Sequence, residues 1–277
     1  MVCAREFLGE LLGTFILVLF GCGAVAVSVL FGSLQGLLQV ALVWGIGVTL
    51  AIYLTRHLSC AHLNPAVSLS MVFGKRMVLR KLPAYLGGQF SGALLAGLAI
   101  YLLFAPSITA FEAAHHMIRG SQQSIQLAMM FGEYYPNPGT AAVVSLPLAM
   151  AAEAFGTFLL VLMIFALTEG CNVGRPDDAL APVFIGLTVS LIICLIAPLT
   201  QAGLNPARDF GPRIVAWLAG WGSAAFPDQV GGFFFVYIAA PIGGALLAAM
   251  FFVRLLEPVM NTMVIPCQCK PGHNEDR

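Results

Sequence analysis

The chain carries one pattern twice. Glu10-Leu-Leu-Gly13-Thr14-Phe15 is matched by Glu153-Ala-Phe-Gly156-Thr157-Phe158, and His62-Leu63-Asn64-Pro65-Ala66 by Gly203-Leu204-Asn205-Pro206-Ala207. Glu10 precedes Asn64 by 54 residues and Glu153 precedes Asn205 by 52. Two motifs in one order at nearly one spacing mark an internal duplication. Whatever one half folds into, the other must fold into as well, and the two must fit together.

Composition says which solvent surrounds that fold. Of 277 residues, 59% are hydrophobic and 9% charged, against about 25% charged in a soluble domain. Mean hydropathy is +0.90. A water-exposed surface this apolar would aggregate, whereas lipid solvates it. Six stretches are long enough to span, at roughly 6–28, 37–56, 83–104, 145–168, 180–200 and 232–255. The run from Phe7 to Leu30 contains Glu10 and reads as the first span rather than a signal peptide. A net charge of zero gives no electrostatic footprint for nucleic acid.

Three spans per half is an odd number, so the second copy is expected to lie inverted in the membrane. Arg5, Lys75, Arg76, Arg80, Lys81, Arg175, Arg254, Lys270 and Arg277 fall on one side of the expected topology, and Arg119 and Arg213 on the other. That asymmetry places both termini inside the cell. Arg56 and Arg208 are assigned to two further segments, about 57–74 and 201–217, too short and too polar to span. Each holds one Asn-Pro-Ala followed by a short apolar run, Val67 to Phe73 and Phe210 to Leu218. Asn caps a helix and Pro suits its first turn. Each motif therefore reads as the start of a half-helix near the bilayer midplane, and the two together make a seventh crossing.

The paired Asn-Pro-Ala motifs within six spans resemble the aquaporin family over about residues 5–256. Asp209, in Asn205-Pro206-Ala207-Arg208-Asp209, is similar to the glycerol-conducting branch, where water-selective members usually have Ser. The long third loop with Phe111-Glu112, His115-His116 and Arg119-Gly120-Ser121, and the run Trp217-Leu-Ala-Gly-Trp221-Gly222, look like bacterial glycerol uptake facilitators. The resemblance implies an all-α membrane fold of six transmembrane helices and two re-entrant half-helices in an inverted repeat. It implies one channel domain at residues 1–256, with repeats about 5–104 and 145–256 joined by an outer loop 105–144, and a cytoplasmic tail 257–277. It also implies a homotetramer in the plasma (inner) membrane, no cofactor, and glycerol or similar small neutral solutes and water as partners.

By the same resemblance Trp44, Ile193, Ala202 and Arg208 form the narrow filter. Typical glycerol facilitators have Gly at the position of Ile193 and Phe at that of Ala202. The Trp, aliphatic, Ala, Arg set is similar to plant nodulin-like intrinsic proteins and leaves the preferred solute open: glycerol, urea, undissociated lactic acid, short diols or water.

The residues suggest a mechanism. Irregular backbone at His62, Leu63, Gly203 and Leu204 would line a wet wall, as non-helical backbone must at membrane depth. Asn64 and Asn205 would each present an amide NH₂ to the permeant. Trp44 would face carbon, and Arg208 would donate to hydroxyls. The two half-helix N-termini, each worth roughly +0.5 of a charge, would join Arg208 in repelling cations and protons. Glu10 and Glu153, with Asp209, are read as structural support, the two glutamates accepting from the irregular backbone. Gly9, Gly13, Gly87, Gly88, Gly92, Ala96, Gly243 and Gly244 are expected at close helix contacts.

An ion-coupled secondary transporter also uses inverted repeats and broken helices, but the spans offer few ionisable groups, placed alike in both halves. An enzyme is disfavoured because no nucleophile–base pair, metalloprotease motif or phosphate loop is present. The seven cysteines, Cys3, Cys22, Cys60, Cys171, Cys194, Cys267 and Cys269, make no disulfide framework. Cys267-x-Cys269 with His273, and His115-His116, are read as chance or structural rather than metal-binding.

Overall fold

The computed structural model describes residues 2–227 and 232–262. Six long apolar helices form the frame: α1 (Val2–Phe31), α2 (Leu37–Ser59), α4 (Leu82–Ala114), α5 (Leu146–Thr168), α6 (Ala181–Thr200) and α8 (Gly232–Thr262). Two short helices, α3 (Pro65–Phe73) and α7 (Pro206–Ala216), enter between them. The first repeat is α1–α4 and the second α5–α8.

Packing repeats with the sequence. α1 lies against α2 and α4, as α5 lies against α6 and α8, and each half-helix packs on the last span of the opposite repeat. Small residues permit this closeness. A methyl on Gly88 or Gly92 would drive into the backbone of α1 at Phe7 or Leu11, and one on Gly244 into that of α5 at Ala154. Gly243 differs from expectation. It has open space around it among the described residues, because it lies on the helix face turned away from that contact.

The half-helices begin where capping chemistry requires. Asn64 and Asn205 are extended, with φ −156° and −142°. The Asn64 side-chain oxygen accepts from Ala66 N at 2.8 Å, and that of Asn205 from Ala207 N at 3.1 Å and Arg208 N at 3.2 Å. Both helices have Pro in their first turn.

Several expectations shift. The third span continues through Pro106 to Ala114, so much of the expected outer loop is helix. The last span continues past Leu256 to Thr262. Arg56 belongs to the last turn of α2 rather than to a re-entrant segment. Arg213, read from sequence as a loop charge, is buried within α7. Cys267, Cys269 and His273 lie outside the described residues.

Candidate pore and filter

The segments leading into the two half-helices share one unusual backbone. Cys60, Ala61 and Leu63 have φ of 70°, 52° and 55°; Gln201, Ala202 and Leu204 have 61°, 64° and 56°. Side chains tolerate this left-handed region poorly, at about 1–3 kcal/mol each, and six such residues persist only if something holds them. The two buried glutamates do so. Glu10 accepts from His62 N at 3.0 Å, Leu63 N at 2.7 Å, Ser59 Oγ at 2.7 Å and Gln89 Nε2 at 2.7 Å. Glu153 accepts from Gly203 N at 2.9 Å, Leu204 N at 2.8 Å and Thr200 Oγ1 at 2.6 Å. These bonds engage the backbone N–H groups of His62, Leu63, Gly203 and Leu204.

The two segments also hold each other. Asn64 Nδ2 donates to Leu204 O at 2.9 Å, and Asn205 Nδ2 to Leu63 O at 2.7 Å. The exchange is reciprocal, as an inverted repeat requires. Each amide has a second N–H, which this bond does not engage.

One cavity of about 600 Å³ passes these groups. Its lining includes Trp44, His62, Leu63, Asn64, Ile193, Ala202, Gly203, Leu204, Asn205 and Arg208, so the ten residues expected at the pore from sequence share one space. Leu17, Val48, Val67, Leu160 and Val189 are among the apolar side chains that complete its wall. At the other end it reaches Arg56, Arg76, Lys81 and Asp178. There Arg56 Nη1 donates to Asp178 O at 2.8 Å and Arg76 pairs with Glu169. Burial pushes the Glu169 carboxyl up, but the Cys171 N–H and Arg76 outweigh that and hold it below its ordinary value.

Arg208 and Trp44 meet face to face. The guanidinium carbon lies 4.1 Å from the Trp44 ring centroid. Gly21 makes room for this tryptophan, since any side chain there would collide with the ring. Gly21 was not among the residues expected from the sequence.

Nor was the group that pairs with Arg208. Arg208 is 4% exposed and its Nη2 is bonded to Glu133, itself 3% exposed. Asp209, expected as support, lies beside that pair, with Oδ1 3.8 Å from Arg208 Nη1. Its carboxylate takes Arg213 Nε at 2.8 Å and Nη2 at 2.9 Å, and accepts from Glu133 N at 2.8 Å. The signal was present: a buried guanidinium demands a carboxylate, and the outer loop offers only Glu112 and Glu133. Glu112 is taken by Arg119 in two bonds of 2.7 Å. His115 stacks on Phe111 at 4.0 Å, and no described cluster of three His, Cys, Asp or Glu is placed to hold a metal.

The family model for the major intrinsic protein matches residues 1–252. The chain belongs to the major intrinsic protein family. It is 40% identical over 270 residues to the glycerol uptake facilitator protein of Pseudomonas aeruginosa, covering 96% of this chain and 94% of that one. It is also 40% identical over 279 residues to the propanediol uptake facilitator of Citrobacter freundii, covering 98% and 97%. Among solved structures it resembles the aquaglyceroporin from Plasmodium falciparum, with a TM-score of 0.80, 28% identity and coverage of 94% and 99%. This major intrinsic protein is thus a multi-pass membrane channel and not an enzyme.

Proposed function

We propose that the protein is a passive channel for glycerol and short diols, with some water, that excludes ions and protons. One observation carries this reading. A cavity of about 600 Å³ runs past both Asn caps, lined by polar backbone and amide groups together with aliphatic side chains. A diol has the same two characters. Its hydroxyls exchange water for carbonyls and amide N–H groups, and its carbons slide along Leu17, Leu160 and Val189. An ion finds no such replacement for its hydration.

Trp44, Ile193, Ala202 and Arg208 form the filter in this reading, and His62, Leu63, Gly203 and Leu204 the carbonyl track. Ile193 cannot hydrogen-bond, so the filter favours solutes with fewer hydroxyls per carbon. The likeness to a propanediol facilitator supports that direction. Residues 1–256 act as one channel domain, with the tail beyond it. Lys75, Arg76, Arg80 and Lys81 lie at the inner face, both termini are cytoplasmic, and the protein resides in the plasma membrane as a homotetramer with one pore per protomer. Ion coupling is not part of the mechanism: the buried carboxylates Glu10 and Glu153 are each engaged by two backbone N–H groups and by side-chain donors, and occupy matched places in both halves.

The test is light scattering of proteoliposomes under gradients of glycerol, propane-1,2-diol, urea and sorbitol in turn. Glycerol and the diol should re-swell vesicles far faster than protein-free controls, and the diol at least as fast as glycerol. Control-level rates for both would refute the reading.

A further inference from the structure

We propose that Arg56 marks an anion site at one mouth of the cavity, which takes the phosphate monoester of a short polyol and so blocks the channel. The proposal rests on the channel reading above, and the ester acts from the face that carries Arg56.

The mouth away from the filter is lined by three cations, Arg56, Arg76 and Lys81. Two of them are already balanced. Arg76 pairs with Glu169, and Lys81 Nζ lies 2.6 Å from Glu6 Oε1. Asp178 carries the only carboxylate among the described lining residues, and it pairs with Arg175. Arg56 is different. Its guanidinium donates through Nη1 to a backbone carbonyl, Asp178 O, and it forms no ion pair among the described residues. A guanidinium with N–H groups to spare and no counter-charge is therefore left at the cavity wall.

A phosphate monoester suits that group in charge and in shape, because two of its oxygens can accept from one edge of the planar fork. Lys81 adds N–H groups beyond the one its bond to Glu6 uses. The ester's stem is a short polyol, the solute this cavity takes, so the stem enters and the head stays. The head cannot follow, since a dianion would shed its hydration between Leu17, Leu160 and Val189. The ester thus occupies the path without passing. A reaction that phosphorylates the solute on this face would yield such an ester, and its build-up would slow further entry.

The experiment measures glycerol flux in proteoliposomes of the full-length parent, Arg56→Gln, Arg56→Lys and Arg80→Gln, the last at an exposed position off the cavity wall. Each flux is taken relative to the same protein's flux in sodium chloride of equal ionic strength. Glycerol 3-phosphate, at equal concentration on both faces, is the probe. Inorganic phosphate is a second arm, and vesicles with and without phosphatidylglycerol are a third. Millimolar ester should slow the parent and Arg80→Gln several-fold, leave Arg56→Gln unslowed, and slow Arg56→Lys to an intermediate degree. Inorganic phosphate should slow the parent less than the ester does, and both lipid mixtures should give the same result. In detergent the ester should raise the melting temperature of the parent but not that of Arg56→Gln. The site is overturned if the ester neither slows nor stabilises the parent, or if it slows Arg56→Gln as much as the parent. Equal slowing by phosphate and ester overturns the polyol part. An ester effect that disappears when phosphatidylglycerol is present gives the site to the lipid headgroup and overturns the proposal as well. A parent that conducts no glycerol in chloride overturns the channel reading instead, which separates the two failures.

Discussion

At the residue scale, the two asparagines do two jobs with one side chain. The oxygen caps a half-helix and the nitrogen crosses to the opposite repeat. Aspartate caps helices as well as asparagine does, so Asn64→Asp and Asn205→Asp isolate the second job. Each leaves a buried carbonyl, Leu204 O or Leu63 O, without its donor, at about 1–3 kcal/mol, and puts a negative charge beside two positive helix ends. Both variants should fold, lose thermal stability in detergent, and pass glycerol more slowly or leak cations. Unchanged flux together with unchanged leak in both would exclude the role. Trp44, Ile193, Ala202 and Arg208, the proposed filter, were singled out only through resemblance, because nothing in local pattern marks Ile193 or Ala202; they line one cavity. Glu133 and Gly21 were missed for another reason. Each acts on a residue far away in sequence, Glu133 on Arg208 and Gly21 on Trp44; the need of a buried guanidinium for a carboxylate hinted at the first, and nothing in the sequence pointed to the second. Gly21→Val is expected to displace Trp44 and cut glycerol flux strongly at normal expression, whereas Gly23→Val, at a position with open space, should conduct like the parent. Equal flux in the two would contradict the tryptophan's place in the filter.

At the element scale, the duplicated motif was legible down to its chemistry. Sequence spacing paired Glu10 with the first re-entrant segment and Glu153 with the second, and each glutamate does accept two backbone N–H groups there. The repeat made this readable, since a feature seen twice at one spacing is unlikely to be chance. Helix ends were less legible. Pro106 suggests a stop, yet α4 runs on to Ala114, because a membrane helix with packed neighbours tolerates proline. Arg213 looked like a topology marker and proved to be an internal strut, bonding Asp209 and donating to Ala225 O at 2.7 Å. The left-handed backbone explains why the glutamates matter. Glu153→Ala strands the Gly203 and Leu204 N–H groups, each costing about 1–3 kcal/mol, while Gln201, Ala202 and Leu204 retain their strain. It should lower the melting temperature in detergent far more than Glu112→Ala, which removes a partly exposed pair with Arg119. Similar losses in the two variants would remove the supporting role from Glu153.

At the scale of the whole molecule, two facts together make a channel. The cavity reaches basic groups at one end and the Arg208–Trp44 pair at the other, and the carboxylates deep in the spans are occupied by backbone donors. In a channel of this arrangement solute should move only down its own gradient. The most direct measurement follows labelled glycerol in proteoliposomes while a proton or sodium gradient is held across the membrane. The account expects glycerol to enter much faster than in protein-free vesicles, to stop at equal concentrations inside and out, and to do so whatever the ion gradient. Accumulation above the outside concentration when an ion gradient is imposed would contradict it.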